Sequence, residues 1–192
     1  MKTLLVVTHP RRSSLTFAVA ASLAHELDSR GSSVEWADLM REGFNPVLPT
    51  EDEPDFRDPD KRYSAAVRAE MARIERNEAT LLVFPVWWWS MPALLKGWID
   101  RVWNNGWAYG GRFYPHRRVW MVAIAGVSAE DYGERGYDVA MRTQLDIGVL
   151  GYCGVADRRL ELLYGALEGE ARAKEILARA ALIGREFAGG GA

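Results

Sequence analysis

The stretch Thr80-Leu-Leu-Val-Phe-Pro-Val-Trp-Trp-Trp-Ser-Met-Pro92 limits what this chain can become more than any other. An apolar run of strand length reaches Pro85, three tryptophans follow, and 93–102 then spaces its apolar residues as a helix does. Ser90 is placed to cap that helix, and Pro92 falls where a first-turn proline is tolerated. An all-apolar strand followed by a loop and a helix is one unit of an α/β sheet covered on both faces. The tryptophans then sit at the carboxyl end of the strand, the edge where open α/β sheets bind ligands. Six of the eight tryptophans lie between Trp87 and Trp107. Such a concentration serves either as a flat platform for an aromatic ring, edged by backbone amides, or as packing beneath a loop or subunit interface.

The same alternation runs through the rest of the chain. Apolar runs of strand length lie at 2–8, 33–39, 119–124 and 159–163, the second of them polar on one side as an edge strand is. Helical spacing predicts helices over 15–27, 63–77, 138–145 (extending toward 150) and 167–187. Five strands alternating with helices give a three-layer, doubly wound α/β fold in one domain over 1–188, with a flexible tail at 189–192. The segment 40–62, rich in Pro, Asp and Glu, reads as a covering loop inside that domain. Its acids lack histidine partners and calcium-loop spacing, so no metal is expected.

Charge and cysteine content remove other classes. A net charge of -2 supplies no basic field for nucleic acid or an anionic membrane surface. Cys153 is the only cysteine, which rules out an internal disulfide and points to a reducing, cytoplasmic setting. No apolar run reaches membrane-spanning length.

The first strand leads into His9-Pro-Arg-Arg-Ser-Ser14 and then a helix, with hydroxyls at Ser13, Ser14 and Thr16 around its start. Free amides and a positive dipole end favour an anion there, phosphate above all; ordinary N-capping explains the same residues. The loop is neither G-x-G-x-x-G nor a Walker A sequence, which removes support for a Rossmann dinucleotide site and a nucleoside-triphosphate site. With 85–92 and the small-residue turn 125–132, three loops share one sheet edge. A ligand with a phosphate at one end and a flat polycyclic ring at the other fits all three, and flavin answers that description better than nicotinamide.

The string Phe84-Pro-Val-Trp-Trp-Trp-Ser-Met-Pro-Ala-Leu-Leu-Lys-Gly-Trp-Ile-Asp-Arg-Val-Trp103 resembles the NAD(P)H:quinone oxidoreductases, as do His9 with its hydroxyls, Phe44-Asn-Pro46 and Trp107-Ala-Tyr-Gly110. The flavodoxin-like relatives of these enzymes include the ancillary flavoproteins of glutathione-gated potassium efflux systems. The resemblance implies a flavodoxin-like sheet of strand order 2-1-3-4-5 and a flavin, FAD first and FMN as the alternative. It also implies NAD(P)H as co-substrate, a quinone-like acceptor, ping-pong two-electron transfer and a homodimer. The alternative it leaves is a regulatory flavoprotein docked on a potassium efflux transporter.

By the same resemblance, His9, Ser14, Leu15 and Thr16 line the phosphate end of the flavin, and Pro85, Val86, Trp87, Trp88 and Trp89 line its ring. Ala125 and Gly126 approach the pyrimidine side, where a longer side chain would collide. Trp107 and Tyr109 match substrate-binding aromatics that roof the pocket of the partner subunit. Tyr132 matches a catalytic tyrosine that hydrogen-bonds the flavin. A histidine usual a few residues later is missing; Gly136-Tyr137 stands in its region.

Overall fold

The computed structural model describes residues 1–189. Five strands form one sheet: β1 (Lys2–Val7), β2 (Ser33–Asp38), β3 (Ala79–Pro85), β4 (Arg118–Ile124) and β5 (Asp157–Leu163). Every neighbouring pair is parallel and the order is β2-β1-β3-β4-β5, as the resemblance implies. The central strands are mostly apolar because both faces are covered. Leu4, Val6, Leu82, Phe84, Met121 and Ala123 face one core. Leu5, Val7, Leu81, Val83, Trp120 and Val122 face the other.

The second core is closed by α1 (Leu15–Ser29) and α6 (Glu170–Gly189). The first is closed by α2 (Ala65–Glu75), α3 (Ala93–Val102) and α5 (Tyr137–Met141), with the segment Arg142–Gly151 that continues α5. A short helix, α4 (Ala129–Glu134), precedes α5. The expected helix over 138–145 is thus an α5 of five residues that loosens into a ten-residue π-helix. That form is rare and often found at functional sites. The closing helix starts at Glu170 and includes Gly189; the rest of the expected tail, 190–192, lies outside the described residues.

The covering loop between β2 and α2 is pinned by a buried ion pair. Asp52, fully buried, accepts from Arg101 at 2.8 Å and from the backbone and hydroxyl of Ser64 at 2.8 and 3.0 Å. Arg101 comes from α3 and lies over the ring of Phe44, 5.2 Å from its centroid. Burial pushes the Asp52 carboxyl up, but the hydrogen bonds from Arg101 and Ser64 outweigh it and hold the group below its ordinary range.

Candidate active site

Beyond β3, Trp87 and Ser90 bond each other twice: each amide donates to the other's carbonyl at 3.1 Å. Trp88 and Trp89 between them both have φ of 52°. Positive φ at both central positions makes this a type I′ turn, a shape that Asn-Gly adopts readily and two indoles do not. Each left-handed non-glycine residue costs about 1–2 kcal/mol. Trp88 is 88% exposed, so its own packing offsets little of that cost. Such strain persists when the surroundings over-determine it, and it concentrates at functional sites. Ser90 is therefore part of the turn and does not cap the next helix; α3 starts at Ala93 with Pro92 in the cap position.

Aromatic contacts join the turn to the loops on either side. The ring of His9 lies 6.2 Å from Trp87. On the other side Trp89 stacks on Tyr137 at 4.3 Å, Tyr137 meets Tyr132 edge-on at 5.9 Å, and Tyr132 meets Tyr164 at 5.2 Å. Ser90 donates from its hydroxyl to Gln144 at 3.3 Å, tying the turn to the π-helix as well. Burial and the neighbouring Tyr164 push the Tyr132 hydroxyl above its ordinary value, so it stays a neutral donor near pH 7.

At the start of α1, Ser14 is the N-cap and accepts from the Phe17 amide at 3.3 Å. Ordinary capping is present, and it leaves the amides of Leu15 and Thr16 without intrahelical acceptors. Thr16 is buried. His9 Nδ1 lies 3.0 Å from the Arg11 amide nitrogen and 3.1 Å from the Arg11 carbonyl oxygen, so Arg11 orients the ring. Burial is the chief cause lowering the His9 pKa, so the ring is neutral near pH 7. Just behind this loop, at the end of β1, the Thr8 hydroxyl is buried with no partner among the described residues.

The third loop is laced to the end of β5. Ala125 donates to Leu163 and accepts from Ala166, and Gly126 accepts from Leu167. A Cβ on Gly126 would lie 3.1 Å from Leu167 Cδ1 of the same chain. Pro85 is buried and Val86 half-buried, the latter donating to Ile124 at 2.8 Å, which holds the tryptophan turn against β4.

Trp107 and Tyr109 are elsewhere. The Trp107 indole donates to Glu75 at 2.7 Å, and Glu75 closes α2 just before β3 begins. Tyr109 packs against Tyr152 and Phe56 at 5.4 and 6.4 Å. Beside it a cleft of about 370 Å³ is lined by Leu48, Ile99, Trp103 and Val149 among others. The structure thus gathers His9, Ser14, Trp87, Trp89 and Tyr132 around one sheet edge and leaves the two expected substrate-binding aromatics outside it. Tyr137 and Tyr164 join the site, and sequence reasoning gave them no role. Tyr164, directly after β5, carries a visible signal that tyrosines which merely pack share, whereas Tyr137, beyond α4, carries none.

A family model described as flavodoxin-like fold matches residues 1–184. The chain belongs to the flavodoxin-like fold family. Within it, the uncharacterized NAD(P)H oxidoreductase YcaK of Escherichia coli is 40% identical over 160 residues, 83% of this chain and 81% of that protein. NAD(P)H dehydrogenase (quinone) 1 of Rattus norvegicus is 28% identical, over 85% of this chain and 68% of that protein. Among solved structures, the NAD(P)H:quinone oxidoreductase of Methanothermobacter marburgensis superposes with a TM-score of 0.89 at 30% identity, covering 97% of this chain and 96% of that one. This flavodoxin-like chain is therefore an oxidoreductase of the NAD(P)H-dependent group, and the resemblance read from 84–103 holds.

Proposed function

We propose that the chain is a flavin-dependent NAD(P)H:quinone oxidoreductase working by ping-pong two-electron transfer. The observation that carries the reading is the strained turn at 87–90, whose Trp88 and Trp89 amides have no acceptor among the described residues. Two unused donors beside an aromatic shelf suit an electron-rich heterocycle edge. The residues fit a flavin at its other end too: two free helix-start amides and the unpartnered Thr8 hydroxyl stand where a phosphate or ribityl chain would need donors. FAD and FMN share that part.

A bound flavin would supply the two-electron hydride chemistry between NAD(P)H and a quinone, with the second proton of the quinol coming from solvent. The chain's own residues do the rest. Amides of the turn stabilise negative charge arriving at the ring edge, and Ser14, Leu15 and Thr16 fix the phosphate end. Tyr132 holds a hydrogen bond donor at Oη in a water-poor setting. Trp87 and Trp89, at 45% and 40% exposure, offer faces on which nicotinamide and quinone stack in turn. One pocket that admits both substrates forces the first product out before the acceptor enters.

The decisive experiment is to purify the protein, record its visible spectrum, identify the flavin released on denaturation and follow NAD(P)H oxidation with a quinone. Bound flavin and parallel double-reciprocal lines are expected. A protein that takes up neither FAD nor FMN at saturating concentration sinks the reading.

A further inference from the structure

Something must hold the turn at 87–90 in a backbone form that its residues resist. Its two internal hydrogen bonds are available to any sequence that makes the turn, and the Trp88 ring is too exposed to help. Of the two left-handed residues that leaves Trp89, and the nearest ring to Trp89 is Tyr137, 4.3 Å away and tilted by 33°. Tyr137 is itself backed edge-on by the buried Tyr132, which rests on Tyr164. The stack therefore runs from a turn in the left-handed region to the carboxyl ends of β4 and β5.

The local chain is arranged to deliver that ring. Gly136 has φ of 68° and nothing within 4 Å of a Cβ, so its role is conformational. It ends α4 with a left-handed step and starts α5 at once, which places Tyr137 on the first turn of the helix, beside the tryptophan turn. The hydrogen bond from Ser90 to Gln144 ties the same two segments a second time.

We propose that Tyr137 is a positioning residue: its ring clamps Trp89 in the left-handed conformation and so keeps the Trp88 and Trp89 amides presented at the sheet edge before any ligand arrives. The value of this role rests on the flavin reading above, but the clamp itself exists without flavin. Preorganised donors cost nothing to align at the moment of binding, which is how a residue one layer behind the ligand raises affinity. Only the face of the ring is needed, not its hydroxyl, so phenylalanine should replace it.

The test measures amide exchange at Trp87 and Ser90 in the flavin-free protein, together with affinity for FMN. An aromatic stack of this kind corresponds to a change of about tenfold. Tyr137→Ala is expected to lower protection of both amides and FMN affinity by about that factor, while Tyr137→Phe keeps both within about twofold. Adding Trp88→Gly to Tyr137→Ala removes one strained residue and is expected to restore protection at Trp87 and Ser90. Tyr137→Leu, which keeps apolar volume, covers the case in which the alanine variant fails to fold; it should still lose protection. Wild-type protection in Tyr137→Ala or in Tyr137→Leu overturns the clamp. Loss of protection in a protein that binds no flavin at all would uphold the clamp and overturn the flavin reading instead.

Discussion

Trp107 Nε1 donates to Glu75 at 2.7 Å, and this one bond places the loop 104–110 at the amino-terminal edge of the sheet. Glu75 ends α2, and Ala79 begins β3 four residues later. The tryptophan turn follows Pro85 at the opposite edge. At about 3.3 Å per residue, the length of β3 separates the two by about 20 Å. Trp107 and Tyr109 do not reach the platform of their own chain. A roof made of these residues must come from a second copy whose sheet runs the other way across a two-fold axis.

The expected outcome is a homodimer in which activity complements. One variant carries Ser14→Asp, which lowers flavin affinity; the other carries Trp107→Ala with Tyr109→Ala. At a flavin concentration that loads only the second variant, each pure form is inactive and mixed dimers recover activity. A monomer by sedimentation, or a mixture that stays inactive, rules out the shared site.

Thr16 is 2% exposed, so charge placed there would test packing as much as phosphate binding. Ser14 is the better probe. Aspartate caps helices as well as serine does and suits the positive dipole end, so Ser14→Asp should leave the melting temperature within a degree or two of wild type. A fixed negative charge at the phosphate position should still weaken FMN binding at least about tenfold, or about 1.4 kcal/mol. Unchanged affinity in a calorimetric titration would move the anion site away from α1.

Gly126 has a neighbour in its own chain, besides the flavin ring that the resemblance sets beside it. Its missing Cβ makes room for Leu167, whose side chain is 83% exposed and free to swing away. Gly126→Ala should therefore change stability by less than about 0.5 kcal/mol and leave flavin affinity near wild type. A large loss of affinity in Gly126→Ala, measured by fluorescence quenching of added FMN, would place the ring against this glycine after all.

The fold was legible because the three central strands, covered on both faces, are largely apolar runs, and two half-polar runs of strand length flank them in the same alternation with helices. The platform was legible because three adjacent tryptophans after a buried strand have few other uses. What stayed hidden has one physical cause, the long-range side-chain contact. Nothing local tells that Asp52, amid the acids of an exposed-looking loop, is buried against Arg101, or that Tyr137 faces Trp89 and not solvent. Ser90 was misplaced as a cap for a related reason. A serine before a proline satisfies the capping pattern, and only the pairing of Ser90 with Trp87 shows where its amide goes.

Asp52 also sets how the protein responds to acid. Its folded-state pKa lies below the ordinary value of 3.8, and that of Glu35, gripped by Arg76, Asn77 and Arg73 against a burial cost, is pulled from 4.5 down to about 2. Carboxyls lowered by folding stabilise the native state fully above their unfolded values, and that contribution is lost as pH falls through the folded ones. Stability should thus be level above about pH 5 and decline from about pH 4.5 toward pH 2. Asp52→Asn keeps an acceptor for Ser64 but leaves the Arg101 charge buried and unpaired. Removing one partner of a buried pair costs about 3–5 kcal/mol. Urea unfolding at pH 7 should show a loss of that order. At pH 3, below the ordinary value of 3.8, the gap between mutant and wild type should begin to narrow, because the unfolded wild-type chain then binds a proton at Asp52 more readily than the folded one does. An equal gap at both pH values would show that Asp52 acts through packing and not through its charge.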